Sequence, residues 1–198
     1  MSGIYEMTMA GKVVKEFKIP GGYHHDQFEM ENGNLLILTE DLRSETVEDM
    51  CVLVDRNTGE ILRTWDYKDF LDPAKVAPSG SWTEEDWFHN NAVWYDEKTN
   101  SLTFSGRHID AMTNIDFDTG KLNWIIGDPE MWPEEYQKYF FKPVVEEGED
   151  FDWQYEQHAN VILPNGDVMC FDNGHFRSKV PEKRILNRDN FSRGVRYK

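Results

Sequence analysis

Cysteine is scarce in this chain: Cys51 and Cys170 are the two among 198 residues. They are too few and too far apart in sequence for a disulfide framework or a Cys-x-x-Cys metal site. Both sit in apolar, strand-like segments, where a free thiol packs as a small hydrophobe. Positive charge is also short, with 21 Lys and Arg against 37 Asp and Glu and a formal net charge of −16. Such a field repels phosphate backbones and anionic headgroups, so neither nucleic acid nor a membrane is an expected partner. No apolar run reaches the roughly 18 residues of a membrane-spanning helix. The opening residues 1–12 lack the apolar core of a signal peptide. Neither G-x-x-x-x-G-K-[ST] nor G-x-G-x-x-G occurs, so nothing points to a nucleotide held on a phosphate loop. What remains, 39% hydrophobic residues with 14% aromatic, is enough for a packed core.

Turns are abundant, and they repeat. Gly11, Gly59 and Gly120 each end a tight turn between two strand-like runs, as in Asp55-Arg56-Asn57-Thr58-Gly59 and Asp116-Phe117-Asp118-Thr119-Gly120. Asp, Asn and Gly supply backbone conformations that other residues resist, so these are hairpin signals. A second hairpin type begins after a histidine: His25 to Leu38 across Asn32-Gly33, His89 to Phe104 across 96–100, and His158 to Phe171 across Asn165-Gly166. A histidine-headed strand, a return strand and a Gly-turned hairpin make four antiparallel strands, the signature of a β-propeller blade. The expected fold is all-β, a single partial propeller domain over 1–198 with about three blades. Residues 4–19 read as the last two strands of a preceding blade, 23–67 and 87–127 as full blades, and 156–198 as an incomplete one. Closure needs roughly four to eight blades, so the chain reads as part of a longer propeller rather than one unit of a homo-oligomeric ring. Residues 68–87 and 128–155 are too long for turns and are expected as loops or short helices over one face. The acidic run 146–150 is read as a solvated loop.

Side chains alternate across a strand, so His25 with Gln27, His89 with Asn91 and His158 with Asn160 share faces. If their strands are innermost in three blades, the histidines converge on one axis. Antiparallel pairing about a turn near residue 98 puts Arg107 beside His89; the same count puts Asn173 near His158 and Glu40 near His25. Three imidazoles and a guanidinium with almost no carboxylate suit an anion with three equatorial oxygens better than a divalent metal. A neutral imidazole is also a nucleophile. His24, His108 and His175 are expected to face away or lie on loops. Trp82, Trp87, Phe88, Trp153 and Tyr155 flank the site and suit stacking on a ring or core packing equally.

The segments "HHD…NGN", "DWFHNNAVWYD…LTFSGRHI", "YEQHANVILPNGDVMCFDNG" and "FSRGVRYK" resemble the bacterial arylsulfate sulfotransferases. The resemblance implies a six-bladed propeller that moves a sulfuryl group from a phenolic sulfate to another phenol without a nucleotide donor. It implies that His158 is transiently sulfated, and that His25, His89 and Arg107 bind the sulfuryl oxygens. Asn91 matches a polar neighbour in that site and, with Asn160, is assigned to substrate binding. Small-molecule aryl sulfate and phenol are the implied partners; no cofactor and no metal ligand are assigned. Family members are longer, exported and dimerise through an N-terminal β-domain, and carry a cysteine pair that 128–157 lacks. Transfer through an unprotonated His158 should fade below the ordinary imidazole pKa of roughly 6.5. The alternatives are a metal-binding propeller with His25, His89 and His158 as ligands, and a non-catalytic binding or assembly module.

Overall fold

Each Gly-ended turn closes a hairpin. Gly11, Gly33, Gly59, Gly120 and Gly166 all take positive φ, between 69° and 93°, where a side chain would collide with its own backbone. Asp55 and Asp116 reinforce theirs: Asp55 Oδ1 accepts the amides of Asn57 and Thr58 at 2.8 Å, and Asp116 Oδ1 that of Thr119 at 2.7 Å. The computed structural model describes residues 3–146, 148 and 151–198. Glu147, Glu149 and Asp150 of the acidic run therefore lie outside the described residues.

Among the described residues the turns generate four antiparallel sheets. The first pairs β1 (Gly3–Met7) with β2 (Val13–Lys18). The second runs in chain order through β3 (Gln27–Glu29), β4 (Leu35–Thr39), β5 (Met50–Val54) and β6 (Ile61–Asp66). The third does the same with β7 (Asn90–Asp96), β8 (Ser101–Gly106), β9 (Ala111–Asp116) and β10 (Leu122–Gly127). The fourth has β11 (His158–Ile162), β12 (Val168–Asp172) and β13 (Arg193–Tyr197). This is the all-β, propeller-type architecture that the repeats imply. The leading strands β3, β7 and β11 are neighbours, which brings the starts of three sheets together.

Period-two alternation distributes the core. Leu36, Leu38, Cys51 and Leu53 face one way and pack with Val93, Leu102, Phe104 and Ile115 of the third sheet. Leu35, Ile37, Val52 and Val54 face the other way and meet Phe17 and Ile19. Met112 and Ile126 pack with Val168 and Cys170 of the fourth sheet. A strand buried on both faces reads as a continuous apolar run, which is what Leu35-Leu36-Ile37-Leu38 is.

The two long insertions are not loose crowns. Residues 67–88 send Tyr67, Leu71, Val76, Ala77, Trp87 and Phe88 into the main core, and the second insertion sends Trp132, Tyr136 and Phe140. A one-turn helix α1 (Glu134–Gln137) carries Tyr136, and Phe140 bridges to Ile125 of β10. Trp87 and Phe88 are fully buried and Trp153 and Tyr155 nearly so. These four aromatics are core, Trp87 and Phe88 in the main cluster, against which Trp82 partly packs, and Trp153 and Tyr155 in the cluster under the fourth sheet.

Candidate active site

The histidines sit where the strands begin, on backbone that is not extended. His25 has φ 52° and centres a three-residue turn in which the Asp26 amide donates to the His24 carbonyl at 2.8 Å. That turn type is rare and strained. Asp26 anchors it, its carboxylate accepting the Val93 amide of β7 at 3.1 Å. His89 has φ 50°, and its carbonyl accepts the Arg107 amide at 3.1 Å, so the two stand side by side across β7 and β8. His158 opens β11, whose pairing with β12 slips between His158 and Val161, with Ala159 at φ 57°. Non-glycine residues at positive φ are uncommon and concentrate at functional clamps.

Three imidazoles converge. The ring centroid of His25 lies 5.0 Å from that of His89 and 6.4 Å from that of His158. The remaining histidines, expected to face away or lie on loops, join the same network. His24 is edge-on to His25 at 5.4 Å, His108 lies 4.5 Å from His89, and His175 Nδ1 donates to Glu156 at 2.8 Å. His24 and His175 do lie on loops, where positive φ at His25 on the one side and at Gly174 and Phe176 on the other breaks strand alternation.

Carboxylates are present too, which corrects the sequence reading. His89 Nδ1 donates to Asp86 Oδ2 at 2.6 Å and has Glu48 Oε2 at 3.1 Å. Arg107 meets Glu156 Oε2 through Nε at 3.1 Å and Nη2 at 3.0 Å. Glu156 is the hub of the site: its carbonyl also faces His158 Nδ1 at 3.1 Å. A ring nitrogen facing a carbonyl must carry the proton, so the His158 lone pair sits on Nε2. Glu156 itself is held at φ 48° by Asp110, whose Oδ1 accepts its amide at 2.7 Å. Asp110 in turn pairs with the buried ammonium of Lys179 at 3.2 Å, which also donates to the carbonyls of Ile109 and Ala77 at 2.7 and 3.0 Å.

Burial lowers the pKa of His25 to about 4, helped by the charges of His89, His24 and His158. Burial also lowers His158, with Arg107 and His89 adding to the effect and the Glu156 carbonyl opposing it. Both rings are therefore neutral at pH 7. Glu156 is held below its ordinary value: burial pushes it up, but hydrogen bonds from Ser81 and His175 and the Arg107 charge outweigh that. Burial raises Glu48. Among the described residues, two sets of groups have the types and spacing to hold a metal, His24–His25–Glu48 and Asp86–His89–His108, with donor atoms within 4.8 Å of one another in each.

A sequence profile of the arylsulfotransferase family matches residues 1–198. The chain belongs to the arylsulfotransferase family. It is similar to arylsulfate sulfotransferase AssT of Lelliottia amnigena, 27% identical over 251 aligned positions, and of Escherichia coli O6:H1 strain CFT073, 26% identical. Each alignment takes in 98% of this chain and 41% of the relative, so the chain spans less than half their length. Among solved structures, a Bacteroides caccae protein of unknown function aligns at TM-score 0.45 and 17% identity, over 66% of this chain and 44% of that one. The WD40 β propeller domain of Doa1 aligns at TM-score 0.45 and 15% identity, over 81% and 37%.

In this arylsulfotransferase-family chain, Asn91 and Asn160 work between sheets. Asn91 Nδ2 donates to the Gln157 carbonyl at 2.8 Å and Asn160 Nδ2 to the Thr103 carbonyl at 3.2 Å, while each Oδ1 is buried without a partner among the described residues. Beside Arg107 opens a cleft of about 470 Å³ lined by Glu156, Phe171, Asn173, His175 and Phe191. A larger apolar groove of about 770 Å³, lined by Trp124, Phe151, Trp153 and Tyr197 among others, holds none of the histidines and no part of this chemistry. Sequence reasoning missed Glu48, Asp86 and Glu156. The nearest signal was spacing, since Asp86 and Glu156 precede His89 and His158 by three and two positions.

Proposed function

We propose that the protein transfers a sulfuryl group from a phenolic sulfate ester to a phenolic acceptor through a sulfohistidine at His158. The observation that carries this is the hydrogen bond from His158 Nδ1 to the Glu156 carbonyl. It leaves the Nε2 lone pair as nucleophile on a ring that burial keeps neutral. Nε2 attacks sulfur, the sulfur–oxygen bond to the aryl group breaks, and the phenolate departs and takes up a proton. A second phenol then attacks, its proton is lost, and the nitrogen–sulfur bond breaks. Charge in such a loose transition state spreads over three equatorial oxygens, so catalysis is chiefly placed positive charge. Arg107 supplies it: Glu156 engages Nε and Nη2, leaving the rest of the fork for sulfuryl oxygens. His25 and His89 line the same space. Family membership supports the reaction class, and the cleft beside Arg107 offers Phe171 and Phe191 as ring-sized apolar surface.

Incubation with a chromogenic aryl sulfate, followed by mass spectrometry, should find one sulfuryl group on His158. His158→Ala should lose both adduct and turnover. Turnover with no adduct, or an adduct that survives in His158→Ala, would overturn the reading.

A further inference from the structure

Sulfuryl transfer gives no task to His24 or Glu48. His24 Nε2 donates to the Thr39 carbonyl at 3.2 Å, so its lone pair is on Nδ1. That lone pair faces His25 Nδ1 at 3.2 Å. Glu48 Oε2 lies 3.8 Å beyond, from His25 Nδ1. Consecutive residues on a strand point apart; these two histidines share a side because His25 folds back at φ 52°.

The set is short of protons. Between the two facing nitrogens one can donate, and Glu48 Oε2 is buried with no hydrogen bond among the described residues. The second candidate set is different: His89 Nδ1 and His108 Nδ1 each donate to Asp86, one to the carboxylate and one to the carbonyl, both at 2.6 Å. In that set the facing nitrogens are already committed as donors to Asp86, although Asp86 Oδ1 and His108 Nε2 are buried without a partner among the described residues; in the first set the His24 lone pair and Glu48 Oε2 both face inward.

We propose that His24 Nδ1, His25 Nδ1 and Glu48 Oε2 bind one divalent transition-metal ion of the zinc class. Metal bonds of about 2.0–2.2 Å to nitrogen and oxygen put neighbouring ligand atoms roughly 3–3.5 Å apart, close to the 3.2 and 3.8 Å seen here. Two imidazoles and one carboxylate suit zinc, cobalt or ferrous iron, whereas magnesium and calcium ask for oxygen ligands alone. The Thr39 carbonyl on the far nitrogen of His24 is the outer-shell partner that ligating histidines usually have. Arg107, the nearby cation, is committed to Glu156 and is no part of the set. The ion shares His25 with the transfer reading but does not depend on it.

The test is titration of chelator-stripped, dialysed wild-type protein with Co²⁺, followed by visible absorption, and with Zn²⁺ by calorimetry. One equivalent should bind, with a ligand-field spectrum of nitrogen and oxygen coordination. His24→Gln and Glu48→Gln should each weaken binding at least 10-fold with unchanged circular dichroism, and His158→Ala should bind as wild type. Absence of binding to the wild type would overturn the proposal whatever the variants do. So would binding lost in His158→Ala but indifferent to His24→Gln and Glu48→Gln, which would place the ion among the three converging imidazoles. Sulfation of His158 is read separately, so either idea can fail alone.

Discussion

At the scale of single residues, Glu156 sets the terms for both functional partners beside it. Its carbonyl fixes which His158 nitrogen carries the lone pair, and its carboxylate occupies one edge of Arg107. The proposed transfer requires a neutral His158, and burial lowers its pKa from the ordinary 6.5. Turnover should therefore hold steady from neutral pH down through 6.5 and fall only below the depressed value, on the acid limb of a kcat/KM profile. A midpoint at or above 6.5 would show that burial does not govern the ring. This shifts the expectation from sequence, which placed the loss at the ordinary value. Arg107→Lys keeps the charge and loses the planar fork. It should cut kcat on the order of 10²-fold, the usual cost of a displaced transition-state donor, with the pH midpoint unmoved; wild-type kcat would remove Arg107 from its role.

Individual elements were legible in the sequence to the extent that local chemistry writes them. Asp55 and Asp116 capping their own turns, and glycines at 11, 59 and 120 with positive φ, needed no tertiary information. The pairing of Arg107 with His89 followed from hairpin counting alone. The carboxylates did not, because alternation holds only for extended backbone. His25, Glu48, His89, Asp110 and Glu156 all take positive φ, a choice enforced by packing from other sheets. The burial of Tyr67 and Tyr136 by the insertions was hidden for the same reason. Gly21 shows how tightly one element is seated. A Cβ there would stand inside contact distance of the Glu40 carbonyl and 2.6 Å from Thr39 Oγ1. Gly21→Ala should cost about 1–3 kcal/mol in denaturant unfolding. Gly194→Ala, with nothing within 4 Å of the new atom, should stay within roughly 0.5 kcal/mol. Equal effects would mean that the His24 turn is not packed as described.

For the whole molecule, the decisive quantity is charge. A net −16 surrounds the site proposed to take an anionic ester, so long-range repulsion would oppose what Arg107 attracts at short range. Salt screens the first far more than the second, the screening length falling from about 30 Å at 0.01 M to about 8 Å at 0.15 M. KM for an aryl sulfate should therefore fall as ionic strength rises over that range in initial-rate assays. A rising KM would mean that the local cation governs approach as well as binding.

The ammonium of Lys179 is held by groups from two separate segments, at Ala77 and at Ile109 and Asp110, and Asp110 holds Glu156. It cannot be withdrawn from one without stranding a charge among the others. The stretches carrying Arg107, Glu156 and His158 are thereby bound to a common fate on heating. The centre should be lost in one cooperative step, with no half-assembled form lingering in between.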